Sequence, residues 1–213
     1  MNLVLFGPPG AGKGTQAAVL CTELGVPQVA TGDIFRRHLK EGTPLGEKAR
    51  SYMNKGQLVP DEVVWELVAA RLSETDCESG VLLDGFPRSV RQAELLVAWM
   101  KDNGRSVDCV VALEVPDEAL VARLARRRTC LSCGGTYHLD HAPVRVEGVC
   151  DACGGEVVQR SDDNEETVRA RLETYHKTTS PVLTYFEELG LAQRVNGVGD
   201  IQSISQRLRI AIG

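Results

Sequence analysis

Long apolar runs are missing from this chain: none approaches the roughly 20 residues that a membrane-spanning helix needs. The opening Met1-Asn2-Leu3-Val4-Leu5-Phe6 lacks the basic stretch of a secretory signal and runs straight into a glycine-rich loop, so a cytoplasmic location is expected. A basic surplus is missing too. The chain has 24 Lys and Arg against 29 Asp and Glu, for a net charge of −5. That balance weighs against a dedicated nucleic-acid binder, which needs cations to neutralise a polyphosphate backbone. The four histidines, His38, His138, His141 and His176, show no nucleophile–base arrangement. Seven cysteines form an odd set, which argues against a disulfide framework and for metal ligation.

What is present is a rhythm of short apolar segments alternating with longer amphipathic ones over 213 residues, the length of one domain with room for a small insertion. Strands are expected at Leu3–Phe6, Pro27–Ala30, Val81–Asp84, Cys109–Glu114 and Gln193–Asn196. Helices are expected over Lys13–Leu24, from Thr31, over Pro44–Asn54, Asp61–Leu72, Ser89–Lys101, from Pro116 to Arg127, over Asn164–Leu189 as one long run, and over Ile201–Ile212. Continuously apolar strands between helices indicate an α/β fold, a parallel sheet covered on both faces, with ligands at the carboxyl ends of the strands. The stretch Thr129–Gln159 breaks the rhythm: it is rich in Gly and Cys, with strand-like fragments at Thr136–Leu139 and Val157–Val158.

Between the first strand and first helix lies Gly7-Pro8-Pro9-Gly10-Ala11-Gly12-Lys13-Gly14-Thr15. Its context fits a phosphate-binding loop: glycines let backbone N–H groups turn inward, the helix end adds positive potential, and Lys13 reaches the phosphates. Gly14 stands where a magnesium-ligating Ser or Thr commonly follows the lysine, and Thr15 comes one later, which argues against direct metal coordination by this loop. Asp84 ends an apolar strand, where a carboxylate needs a cation or N–H donors. It orients magnesium through water, with Asp33 as a weaker candidate, or it binds backbone N–H groups at the strand exit. Arg36 and Arg88 each follow a loop or helix start at which a phosphate can lie, and guanidinium suits bidentate phosphate contact. Singly, Thr31 reads equally as a helix cap, Arg36 and Gln92 as surface residues. Cys130-x2-Cys133 and Cys150-x2-Cys153 are separated by 16 residues, the spacing of a closed four-cysteine zinc site. Two disulfides or an iron cluster are the alternatives, and His138 and His141 lie between the pairs.

In order along the chain, the phosphate loop is followed by Thr31-Gly32-Asp33-Ile34-Phe35-Arg36, Gly56-Gln57-Leu58-Val59-Pro60-Asp61, Leu82-Leu83-Asp84-Gly85-Phe86-Pro87-Arg88 and Arg160…Asp162-Asp163…Arg171. This set resembles the adenylate kinase family of nucleoside-monophosphate kinases over nearly the whole chain, in its branch with a long four-cysteine lid. The resemblance implies a single P-loop domain over 1–213, with a helical AMP-binding insertion over 30–59 and a zinc-ribbon-like lid over 126–163. It implies reversible phosphoryl transfer from Mg²⁺-ATP to AMP, giving two ADP, by a monomer with no nucleic-acid or membrane partner. For ATP it implies Gly10, Ala11, Gly12, Lys13, Gly14 and Thr15, with Arg123 and Arg127, read as four apart on one helix face. Thr136 and Tyr137 would flank the adenosine, and the Gly199 backbone would touch the base. For AMP it implies that Arg36 and Arg88 hold the phosphate, that Thr31, Gln57, Leu58, Val59, Gly85, Phe86 and Pro87 line the pocket, and that Gln92 meets the adenine edge. Arg160 and Arg171 would reach the transferring phosphoryl, with Lys13, Asp84, Arg88, Arg123 and Arg127 completing the catalytic set. Kinases for UMP or CMP are the nearest alternative. A zinc-ribbon nucleic-acid binder with a nucleotide switch is the distant one, disfavoured by the acidic charge and by Tyr137 being the ribbon's only aromatic residue.

Overall fold

The computed structural model describes residues 1–213. The chain starts with β1 (Asn2–Phe6), α1 (Lys13–Leu24), β2 (Gln28–Ala30), α2 (Thr31–Lys40), α3 (Pro44–Met53) and α4 (Asp61–Leu72). It continues through β3 (Val81–Asp84), α5 (Val90–Asp102), β4 (Cys109–Glu114), α6 (Asp117–Arg126), β5 (Arg127–Cys130), β6 (Thr136–His138) and β7 (Val157–Val158). It closes with α7 (Glu165–Thr174), α8 (Ser180–Glu188), β8 (Ala192–Asn196) and α9 (Ile201–Ile212).

Five strands form one parallel sheet in the order β2-β3-β1-β4-β8. All five residues of β1 are buried, as a strand covered on both faces requires. Side chains alternate between the two cores. Val4 and Phe6 join Leu83 and residues of α4, α5 and α8 on one side, while Leu3 and Leu5 join Leu82 and residues of α1, α6, α7 and α9 on the other. Because β1 has β3 on one flank and β4 on the other, the chain departs in opposite directions around it. The carboxyl ends of β1 and β3 therefore open onto the crevice where such sheets bind ligands.

Residues within Arg127–Val158 form a separate three-stranded antiparallel sheet, β6-β5-β7, around a small core of Cys130, Cys150 and Val157. The expected helices and strands are in place, with two differences. Helix α6 stops at Arg126. Arg127 is extended (φ −69°, ψ 144°) and opens β5, pairing with His138, so it does not share a helix face with Arg123. The expected long helix after Asn164 is also divided: Tyr175–Thr179 is a π-helical turn between α7 and α8. Pro181 sits in the first turn of α8. It donates no N–H and its ring clashes with the carbonyl four residues back, so the ladder widens just ahead of it.

Candidate active site

The loop after β1 ends in Gly12, whose φ of 94° is left-handed backbone that only glycine adopts without strain, and α1 begins directly behind it. Lys13 folds back across the loop, its Nζ donating to the Gly7 and Pro8 carbonyls at 2.7 and 2.9 Å. At the end of β3, register places Asp84 beside Leu5 and Ala30. One of its oxygens accepts from Gln28 Nε2 at 3.0 Å. Burial raises the Asp84 carboxyl above its usual range, opposed by Lys13 and Arg88. Burial pulls the Lys13 ammonium down to about 8, an effect that Asp84 opposes and that Arg88, Arg171 and Arg127 deepen.

The backbone following β3 builds the other half. Gly85 takes φ 72°, and its carbonyl accepts from both Thr31 Oγ1 (2.8 Å) and Arg88 Nε (2.6 Å). Thr31 is thus the first residue of α2 and a clamp on the β3 exit, not a cap. Burial, reinforced by Arg171, lowers the Arg88 guanidinium. Arg36 pairs with Asp33, so Asp33 faces that guanidinium.

Two aspartates organise the remaining cations. Asp163 is fully buried and accepts a fork from Arg127 at 2.8 and 2.6 Å, together with Arg171 Nη1 at 3.3 Å. Asp162 pairs with Arg171 at 3.1 Å. Burial raises the Asp162 carboxyl, but Arg171, Arg36, Arg127 and Arg160 together hold it below its ordinary value. Arg160 donates to Thr129 Oγ1 at 2.8 Å and is lowered by burial and by Arg36 and Arg127. Buried cations that depress one another describe a site short of negative charge, suited to a polyphosphate.

Of these groups, Lys13, Thr31, Arg36, Arg88, Asp162 and Arg171 line one open cleft at the strand ends. It brings together Lys13, Thr31, Arg36, Gln57, Leu58, Val59, Gly85, Phe86, Pro87, Arg88, Gln92 and Arg171. Gly10, Ala11, Gly12, Gly14, Thr15, Asp33, Asp84, Arg123, Arg127, Thr136, Tyr137, Arg160 and Gly199 are not in its wall. Arg123 points to the Gly197 carbonyl at 3.5 Å, near a depression lined by Val115, Asn196 and Val198. The Tyr137 hydroxyl lies 3.2 Å from Cys150 Sγ and accepts from the Asp151 N–H at 3.0 Å.

The four sulfurs of Cys130, Cys133, Cys150 and Cys153 all lie within 4.8 Å of one another. The Cys130–Cys153 and Cys133–Cys150 separations are 3.5 and 3.6 Å, too long for disulfides and close to the edge of about 3.8 Å that zinc–sulfur bonds of about 2.3 Å define in a tetrahedron. The crowded thiols titrate against one another: the Tyr137 hydroxyl draws the Cys150 thiol down, while, against the pull of the Gly155 N–H, Cys133 and Cys130 push the Cys153 thiol up. The donor set fits zinc.

The sequence profile of the family described as adenylate kinase matches residues 5–191. The chain belongs to the adenylate kinase family. The adenylate kinase of Desulforamulus reducens is 50% identical over 212 residues, covering 100% of each chain. Adenylate kinases of Geobacter sp. (strain M21) and Syntrophobacter fumaroxidans are 50% and 49% identical, each over 100% of this chain and 99% and 100% of their own.

In this adenylate kinase family member, the structure adds residues that sequence reading did not weigh as parts of the site. Gln28 holds Asp84, and Asp162 and Asp163 anchor two arginines, Arg127 and Arg171. Tyr175 and Thr179, on the π turn, complete the cleft wall. The two aspartates were visible between Arg160 and Arg171, where acidic residues among arginines signal pairing. The π turn had one signal, Pro181.

Proposed function

We propose that the protein is an adenylate kinase: it transfers the γ-phosphoryl of Mg²⁺-ATP to AMP, reversibly giving two ADP. One observation carries the reading. Lys13 of the phosphate loop and Arg88 of the second site line the same cleft, whose wall also holds Gln57, Val59, Phe86 and Gln92. Two phosphate chains entering from opposite ends would meet between Lys13, Arg88 and Arg171.

Phosphoryl transfer needs little covalent help, so positioning and charge neutralisation account for most of the catalysis. Glycine-loop N–H groups and Lys13 take the ATP phosphates, with Arg123 and Arg127 beside them. Arg36 and Arg88 hold the AMP phosphate, Thr31, Leu58, Gly85 and Pro87 shape its pocket, and Gln92 reads the adenine. Arg160 and Arg171 approach the transferring group. Asp163 supports this division, because its Oδ1 accepts from both Arg127 and Arg171 and so sets their guanidinium groups side by side. Thr136, Tyr137 and the Gly199 backbone border the ATP adenosine once the segments 30–59 and 126–163 close and exclude water. Magnesium brought in with ATP would offset the charge of the phosphates. Asp84 would hold it through water, its carboxylate having lone pairs beyond the one Gln28 uses. Asp33 is the weaker candidate, being committed to Arg36. Zinc held by Cys130, Cys133, Cys150 and Cys153 would have no open position for chemistry and would stabilise the small sheet. Seven cysteines without a disulfide among them fit a reducing, cytoplasmic compartment, and both nucleotide sites within one chain fit a monomer.

A coupled assay of ADP formation from ATP with AMP, UMP and CMP tests this reading. AMP is expected to be the preferred acceptor, and equal turnover of CMP would remove the assignment.

A further inference from the structure

Gln92 is almost completely buried, yet its side-chain amide is one of the few neutral polar groups facing the cleft. An amide reads a base by which end is donor and which is acceptor, and rotation by half a turn inverts the message. Something must therefore fix the orientation. The backbone N–H of Arg88, which can only donate, contacts Gln92 Oε1 at 2.8 Å. A carboxylate oxygen of Asp61, which can only accept, contacts Gln92 Nε2 at 2.7 Å. Asp61 is itself held: its second oxygen accepts from Ser89 Oγ at 2.8 Å, and Ser89 Oγ accepts the backbone N–H of Gln92 at 3.1 Å. The loop closes from α4 to α5 and back, and Asp61 does not reach the cleft wall.

We infer that Asp61 is the positioning residue for acceptor-base specificity: it locks the Gln92 amide so that the site takes 6-aminopurine and refuses 6-oxopurine monophosphates. This rests on the reading of Gln92 as the base contact.

With one lone pair of Oε1 and one hydrogen of Nε2 already used, Gln92 has one acceptor and one donor left to offer. Adenine answers both, its exocyclic amine donating and its neighbouring ring nitrogen accepting. Hypoxanthine reverses both, with a 6-oxo acceptor beside a ring N–H, and matching it requires the inverted amide. Inversion sets NH₂ against the Arg88 N–H and oxygen against the Asp61 carboxylate, two like-against-like contacts in a buried place, where unmatched polar groups discriminate most strongly. Cytosine has the same donor–acceptor order as adenine, so this device sorts amino from oxo bases and leaves size discrimination to the surrounding apolar wall.

Asp61→Asn is the test. The Ser89 hydroxyl still needs an acceptor, so the new amide keeps its oxygen there and aims its NH₂ at Gln92, favouring the inverted orientation. The readout is the ratio of kcat/KM for AMP to that for IMP. It is independent of the fraction of enzyme folded and so does not respond to a merely structural role. A fall in this ratio of about fivefold or more, with the KM for ATP unchanged, is expected, following the cost of mispairing a buried polar group. Asp61→Ala, which offers Gln92 neither donor nor acceptor, should lower the ratio by less. A smaller fall in Asp61→Asn, including no detectable turnover of IMP, overturns the inference. Gln92→Ala separates the layers. If it collapses the ratio while Asp61→Asn does not, only the role of Asp61 fails. If Gln92→Ala leaves the ratio intact, the base contact itself is misassigned.

Discussion

Lys13 is held at a pKa of about 8 in the cleft, against an ordinary value of 10.5. Binding a polyphosphate must reverse this, because phosphate oxygens replace the carbonyl contacts to Gly7 and Pro8 and supply the missing negative charge. Binding should therefore take up protons. With the bound ammonium restored to its ordinary range, uptake should be about 0.1 proton at pH 7, about 0.5 at pH 8 and about 0.9 at pH 9. Guanidinium groups stay protonated throughout this interval, so among the cations lining the cleft Lys13 is the one that titrates. The assay is calorimetric titration with two adenosines joined through five phosphates, whose internal phosphates carry no proton in this range. It is run at each pH in two buffers of different ionisation enthalpy. Lys13→Arg keeps the cation but cannot release a proton, and should abolish the uptake. No uptake at pH 8 in the wild type, or equal uptake in Lys13→Arg, would refute the electrostatic reasoning. The same shift has a stability counterpart. From pH 8 to 10.5 the unfolded chain binds the Lys13 proton and the folded protein does not, so unfolding free energy rises with pH across that window, by up to about 3 kcal/mol.

Three further outcomes follow from the geometry. A Cβ on Gly85 would sit 2.7 Å from an Arg88 guanidinium nitrogen at a φ of 72°, so Gly85→Ala should raise the KM for AMP about tenfold or more while leaving that for ATP in place. Steady-state kinetics with each substrate varied checks this, and equal effects on both would contradict it. Arg88→Ala should lower kcat/KM by about 10² to 10³, the scale of one lost charge-stabilising donor, without lowering the melting temperature of the ligand-free protein, since it removes a buried cation pressed by Arg171. Cys130→Ser, or a strong chelator, should lower the melting temperature by several degrees and affect turnover in the cold far less. Identical melting curves with and without chelator would count against structural zinc.

The parallel sheet was legible because its strands are short unbroken apolar runs, a pattern that arises when both faces are covered, as Leu3 to Phe6 illustrate by alternating between two cores. The phosphate loop and the cysteine pairs were legible because fixed spacing there is imposed by local geometry. What escaped depends on contacts between distant segments. The extended start of β5 at Arg127 follows from pairing with His138 and Asp163, and helical periodicity simply ran through it. The π turn follows from Pro181 acting within a continuing helix, where the apolar pattern carries no mark. Gln28 supporting Asp84, and Asp61 supporting Gln92, connect residues 56 and 31 positions apart, and no local pattern announces such pairs.

The account depends on both nucleotides meeting end to end among buried cations. The most direct measurement is the affinity and stoichiometry of the five-phosphate bis-adenosine ligand at pH 7, compared with ATP and AMP alone. One ligand per chain, bound at least about a hundredfold more tightly than either nucleotide, is the expected result, because the second site is then filled at a high effective concentration. Two ligands per chain, or an affinity no better than that of ATP, would contradict it.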